Sequence, residues 1–340
     1  MCVRIDHWGV PLVRSLRQAL LPLATAVMLA LVGAGPAAAE PESAAVPAGN
    51  ATTAATPRLA GGAPVDSAAT AAALARYWTP ERMSKAISLD RTAGSLRAAQ
   101  SKAGPTGKPG STPPAEGRSD TVRPLVTESA AVGKVFFTNP SNGLNYTCSA
   151  GSLNSPSKQM LITAGHCVHG GSGGTWMTNW TYVPRYRSGA RPFGTYAAKQ
   201  FRTFNSWISS SDLGRDVAMV TTWPLNGNKV VNVTGGHGLS WNYSRTQAMT
   251  VMGYPSNRDG GQIQWACQGT TRAVGDGRIE LQCDFGSGSS GGPWLREFND
   301  ANGLGYVNGA MSTLATGGWN RSSYFDDAVK AMFDAQGSVT

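Results

Sequence analysis

At 340 residues, with 41% hydrophobic and 14% charged side chains, the chain has room for one large or two ordinary domains. Its formal net charge is +9, yet no run of four or more Lys or Arg occurs anywhere. A nucleic-acid footprint needs basic side chains clustered together, so this charge reads as a solvated surface and nucleic acid is excluded as a partner.

In chain order, Arg4, Arg14 and Arg17 precede an apolar run from Ala19 to Val32 that ends in "GAGPAAAE". A basic start, a short apolar middle and a small-residue exit predict a signal peptide over 1–39, cut after Ala39. The run is shorter than the roughly 20 residues of a membrane span. A secreted chain with no stable membrane association after cleavage is therefore expected.

Residues 40–125 form a different texture, rich in Ala, Pro, Thr and Gly, as in "PESAAVPAGNATTAATP". Such a stretch buries too little apolar surface to offset the entropy of ordering, which predicts a mobile, low-complexity pro-segment. One island interrupts it, "WTPERMSKAISLDRTAGSLRAA". Thr79 as N-cap, Pro80 at the first helical position and Glu81 in the first turn predict a helix near 79–99.

From residue 126 to 340 short apolar runs such as "VGKVFFT", "QMLITA", "DVAMVTT" and "AMTVMGY" alternate with Gly-, Asn- and Ser-rich turns. That spacing predicts an all-β barrel or sandwich. Near the end, "SSYFDDAVKAMFDA" predicts one helix with a serine cap and Phe325, Val329, Met332 and Phe333 on its apolar face.

Of five cysteines, Cys2 leaves with the signal, so Cys148, Cys167, Cys267 and Cys283 remain. An even number in an exported chain suggests two disulfides, and four cysteines allow three connectivities. The sequence-local pairing would close short loops, stabilising by ~3 kcal/mol each in the loop-entropy model. No pair has the close spacing of a zinc site, so no metal and no cofactor is expected.

The chemistry-bearing stretch is "GSGSSGGPW" at 286–294, too small to fill a core and suited to bringing backbone N–H groups near a ligand. A serine nucleophile needs a base, usually histidine, oriented by a carboxylate. Gly288 to Gly292 also satisfies G-x-S-x-G, but that elbow requires a histidine after the serine, and none follows residue 290. The order Asp, His, Ser fails as well, because residues 126–165 hold no aspartate. Only His, Asp, Ser survives. His166 follows an apolar strand in "LITAGHC", whereas His169 and His237 lie among glycines and read as exposed loops. Among the acidic residues between, Asp216 opens the apolar run "DVAMV", while Asp212 and Asp259 sit in polar turns.

"TAGHC", "DVAMV" and "GSSGGP" resemble the TAAHC, DIAL and GDSGGP blocks of the chymotrypsin-like (trypsin-fold) serine peptidases, in order and over roughly residues 130–340. The chain is most similar to secreted bacterial members, near the branch that contains glutamyl endopeptidases. The resemblance implies two six-stranded β-barrels with the site in the cleft between them. It implies Ser290 as nucleophile, His166 as base, Asp216 as orienting carboxylate, and the N–H groups of Gly288 and Ser290 as oxyanion hole. Protein or peptide substrates and a monomer are the expected partners and state.

Two departures matter. The family's acidic residue before the nucleophile is here Ser289, which cannot pair with a freed N-terminal ammonium, so activation by unblocking is expected instead. Asp284 matches the position at the base of trypsin's pocket, where a buried carboxylate would favour a basic P1 residue. Glutamyl-selective relatives use a histidine on the next strand, where "NGAMST" offers Met311 and Ser312; by resemblance Ser312 lies on the strand that pairs with substrate backbone. A catalytically silent binding module on this fold and an esterase using the same trio are the competing functions.

Overall fold

The computed structural model describes residues 48–89, 107–118 and 128–340. The expected signal peptide lies outside these residues, as do 40–47, 90–106 and 119–125 of the expected pro-segment and 126–127 of the expected peptidase domain. Among the described residues no helix is long and apolar enough to cross a membrane.

The N-terminal portion forms β1 (Thr52–Ala55), α1 (Ala68–Tyr77), α2 (Pro80–Lys85), β2 (Ile87–Ser88) and β3 (Gly110–Ser111). The composition predicts a mobile stretch, but residues 48–89 pack as a belt. β1 pairs with Phe201–Phe204, and β2 pairs in parallel with Tyr146–Thr147. Val65, Leu74, Trp78 and Met83 are buried against Phe136, Val183, Tyr186 and Tyr254. The indole N–H of Trp78 donates to the Asn179 carbonyl at 2.6 Å. A few large side chains thus hold a stretch whose average composition is poor in them. The predicted helix starts as expected, with the Thr79 hydroxyl accepting from the Arg82 N–H and Pro80 at its first position. It is shorter than expected, ending at Lys85, because Ile87 and Ser88 are already in a strand ladder.

The first sheet contains β4 (Val132–Thr138), β5 (Asn145–Leu153), β6 (Met160–Thr163), β7 (Thr178–Pro184), β8 (Tyr196–Phe204) and β9 (Ala218–Thr222). Its ladder runs β4, β5, β6, β9, β8, β7 and returns to β4, so the barrel closes and those six strands have no free edge. Val135 and Phe137 of β4 point into the barrel with Cys148, Leu161, Trp180 and Phe201. Phe136, between them, points outward beneath the belt. That is why "VGKVFFT" is buried on both faces rather than alternating.

A short helix α3 (Asn205–Ser210) lies between β8 and β9, and a second, α4 (Val230–Thr234), connects onward to the second sheet. It contains β10 (Gly238–Trp241), β11 (Ala248–Gly253), β12 (Trp265–Thr270), β13 (Arg272–Ala273), β14 (Ile279–Gln282), β15 (Pro293–Asn299), β16 (Leu304–Ala315) and β17 (Trp319–Ser322). The order is β12-β11-β15-β16-β17-β14-β13, with β10 beside β16. This second half-barrel is left open by its hydrogen bonds between β12 and β14. The Cys267–Cys283 disulfide spans that gap, one cysteine on β12 and the other directly after β14. The remaining pair, Cys148–Cys167, completes the sequence-local connectivity.

The C-terminal helix α5 (Asp327–Gly337) buries Ala328, Val329, Met332 and Phe333 in a core shared by both sheets, with Leu153 and Ile162 from one and Met252 and Leu295 from the other. Its cap is Asp326 rather than the expected serine, accepting from the Ala328 and Val329 N–H groups. Both hydroxyls of the preceding serines are engaged elsewhere, that of Ser323 with the Leu213 carbonyl.

Lys134 on β4 is buried, its ammonium donating to the Gly261 carbonyl at 2.6 Å within 5.2–6.0 Å of the Phe136, Tyr186 and Tyr254 rings. Burial pulls its pKa down to about 8, below the unfolded value of ~10.4. Below the folded value both states are protonated; as pH rises from about 8 to ~10.4 the unfolded chain holds more protons and stability grows. Urea unfolding of wild type and Lys134→Met should therefore diverge in favour of wild type across that window. A stability difference that stays flat would contradict the burial cost.

Candidate active site

The β6–β9 ladder builds the first contact. Thr163 faces Ala218 in antiparallel register, so the residues just after β6 lie opposite those just before β9. His166 occupies a single 3-10 turn after β6, and Asp216 precedes β9. Asp216 is fully buried, and its carboxylate accepts the His166 backbone N–H at 2.8 Å and lies 2.8 Å from His166 Nδ1. A carboxylate only accepts, so the ring proton sits on Nδ1 and Nε2 is left with its lone pair outward. Nε2 is buried with no hydrogen-bond partner. The turn admits no bulk: a Cβ at Gly165 would lie 3.0 Å from Asp216 Oδ1 and from the Trp207 ring.

A third group reaches the same carboxylate from the second sheet. The Ser312 hydroxyl on β16 donates to Asp216 Oδ2 at 2.6 Å. The Ser312 side chain thereby ties the two sheets together at the buried charge, a role separate from the expected main-chain contact of this strand with substrate. Asp212, the rival carboxylate, caps the following 3-10 turn by accepting from the Gly214 N–H. The two other histidines are not exposed loops. His169 Nδ1 accepts from the Gly171 N–H, and burial lowers its pKa. His237 is enclosed in the core, its Nδ1 facing the Gly305 N–H, and burial pushes its pKa down to about 3.

Residues 286–292 form the second component, and nearly every peptide in the loop is held. The Ser287 carbonyl accepts from the Ser256 N–H at 2.8 Å and the Ser289 carbonyl from the Gly292 N–H at 2.9 Å. Ser149 holds two more: its hydroxyl donates to the Gly288 carbonyl at 2.9 Å, and its N–H to the Ser290 carbonyl at 2.7 Å. The N–H groups of Ser289 and Gly291 go to the Gly286 and Met311 carbonyls. The N–H groups of Gly288 and Ser290 have no acceptor inside the loop. That of Gly288 meets the Leu89 carbonyl of the belt at 3.2 Å, while the Leu89 N–H donates to the Thr147 carbonyl at 3.1 Å. Gly288 has φ +85°, and a Cβ there would lie 2.9 Å from both the Tyr254 carbonyl and the Ser88 hydroxyl.

Ser290 is linked to His166 by a short covalent and hydrogen-bonded path. Its carbonyl is bound by Ser149, whose neighbour Cys148 is disulfide-linked to Cys167, the residue after His166. No hydrogen bond joins the Ser290 hydroxyl to Nε2 in this arrangement. Ser289, which stands where the acidic residue was absent, is buried and donates its hydroxyl to the Gly286 carbonyl at 2.7 Å. The tight group Cys148, His166 and Cys167 offers no metal thiolates, since the two sulfurs are bonded to each other.

Asp284 departs from its expected burial. Its side chain is 65% exposed and lies 3.6 Å from the Arg258 guanidinium. A left-handed backbone, φ +51°, accompanies this placement, and the Asp284 N–H and carbonyl are held by the Gly318 carbonyl and the Asn257 amide. The loop on either side of Cys283 is therefore pinned through its main chain and leaves the carboxylate in solvent.

Solved structures carry the same architecture. A protease, Anisep, from Arthrobacter nicotinovorans is 29% identical, with a TM-score of 0.58 over 63% of this chain and 98% of its own. A thermostable serine protease, AL20, from an extremophilic microorganism is 28% identical, with a TM-score of 0.58 over 62% and 99%. The chain has the chymotrypsin-like fold of bacterial serine proteases. A Glu endopeptidase shares the fold at 17% identity, with a TM-score of 0.52 over 66% of this chain and 97% of its own. No protein-family profile matches the sequence, and no curated protein matches it.

Within this peptidase fold, sequence reading missed Ser149 and Leu89. The only signal for the first was its place beside Cys148; nothing marked the second. Gly291, φ +80°, tests how tightly the loop is seated, because a Cβ there would overlap the Thr163 hydroxyl and the Ser149 carbonyl. Gly291→Ala should cost about 2 kcal/mol or more from overpacking, a fall in Tm of roughly 5 °C or more. Gly173→Ala, with φ +72° and open space around it, should cost less. Equal losses in thermal melts would refute the close seating.

Proposed function

We propose that the chain is a secreted serine endopeptidase that acts through His166, Asp216 and Ser290 and is made as a pre-pro form. The observation that carries this is the buried Asp216 carboxylate, which holds His166 with Nδ1 protonated and Nε2 unpartnered. Ser290 Oγ attacks the substrate carbonyl as its proton passes to Nε2, and the imidazolium formed is stabilised by Asp216. The tetrahedral oxyanion receives the Gly288 and Ser290 N–H groups, donors typically worth ~3–4 kcal/mol each in the transition state. His166 returns its proton to the leaving amine. A water, deprotonated by the same nitrogen, then hydrolyses the acyl-enzyme and restores the Ser290 hydroxyl.

Two observations support latency by the belt. The Leu89 carbonyl occupies the Gly288 N–H that the oxyanion needs, and Ser88 stands against Gly288. Ser289 supplies no carboxylate for an N-terminal ammonium, so removal of this segment is the activating event the residues favour. Exposure of Asp284 and its pairing with Arg258 leave no support for a basic P1 preference through that carboxylate.

Ser290→Ala should abolish both peptide turnover and covalent labelling by a serine-directed phosphonate, whereas turnover surviving the change would remove Ser290 from the mechanism. A silent binding module would show neither activity in wild type. Leu89→Pro in the full chain deletes one main-chain hydrogen bond, worth ~1 kcal/mol. It should speed labelling about fivefold, and an unchanged rate would argue against latency through Leu89.

A further inference from the structure

We propose that Ser149 is a positioning residue that holds the oxyanion socket through its side-chain hydroxyl. This rests on the reading of Gly288 and Ser290 as oxyanion donors and adds a residue that neither the triad nor the nucleophile motif contains. Ser149 lies on β5, fully buried, and makes four hydrogen bonds around the loop. Its N–H donates to the Ser290 carbonyl, and its own carbonyl accepts from the Thr163 hydroxyl at 2.8 Å. Its hydroxyl donates to the Gly288 carbonyl and accepts from the Tyr254 N–H, each at 2.9 Å.

The hydroxyl is the one side-chain group among the braces on the loop's carbonyls at 287–290; the others are backbone N–H groups. It fixes the 288–289 peptide between the two donors. With Ser287 held by Ser256 on one side and Ser290 held by the Ser149 N–H on the other, the donors at 288 and 290 keep a common direction. Ser289 spends its hydroxyl on Gly286 within the loop. No ion pair at residue 289 is available to set this shape, so the cross-sheet hydroxyl takes that role. Its loss would leave the Gly288 carbonyl and the Tyr254 N–H without their shared partner in a buried place. Reorientation of the peptide is the direct way to relieve that.

The test compares wild type, Ser149→Ala and Ser149→Thr in the processed enzyme. Misplacement of a catalytic donor costs up to ~100-fold in rate, so Ser149→Ala should lower kcat by about 10- to 100-fold while KM moves less than about threefold. A peptide aldehyde, whose hemiacetal oxygen enters the socket, should lose affinity in the same proportion, while its alcohol counterpart binds unchanged. Ser149→Thr, which keeps the hydroxyl, should recover most of kcat. Wild-type kcat and aldehyde affinity in folded Ser149→Ala would overturn the proposal, as would equal losses for aldehyde and alcohol. If wild type itself neither turns over peptide nor labels, the endopeptidase reading fails separately. Amide exchange of Tyr254 then decides the brace: faster exchange in Ser149→Ala supports it and unchanged exchange refutes it.

Discussion

A buried carboxylate with its hydrogen bonds drawn from two sheets is the constraint on which the rest depends. An ionised aspartate removed from water is costly unless donors surround it. Asp216 finds two of them on the His166 residue of the first sheet and a third on Ser312 of the second. The charge is therefore satisfied only when the halves meet in one relative placement. The same bonds determine which imidazole nitrogen carries the proton, so the seam between the sheets and the tautomer of His166 have one cause.

Around that charge the 286–292 loop is shaped without ionic help. Backbone donors, Ser289 and Ser149 hold the carbonyls from 286 to 290, and the N–H groups of Gly288 and Ser290 take no acceptor within the loop. The N-terminal belt enters this arrangement directly. It covers the outer face of β4 with Trp78 and Met83 and sets the Leu89 carbonyl against Gly288. One segment thereby contributes to the core of the first barrel and occupies a donor of the proposed socket.

Much of this was legible in the residues. The barrel strands announced themselves through short apolar runs and turns, and the contact of His166 with Asp216 through their places beside two apolar strands. What composition misjudged was the belt, because an average over many alanines and prolines hides a few anchoring side chains such as Trp78. It misjudged His237 for a related reason. Glycine neighbours suggest a loop, yet the ring lies enclosed between the Gly151 and Gly305 backbones. Asp284 followed its motif in sequence but not in space, since a left-handed turn carries its side chain outward.

The sequence by itself determined the kinds of groups and their order along the chain: one histidine behind an apolar strand, one aspartate ahead of another, a glycine-lined serine, and four cysteines free to pair. Those are properties of residue type and local spacing. Tertiary structure alone decided which donors a buried charge would find, that Ser149 would reach the carbonyls of both Gly288 and Ser290, and that the Leu89 carbonyl would meet Gly288. Such contacts join residues tens to more than a hundred positions apart, and only closure of the first barrel against the second sheet brings them within hydrogen-bond range.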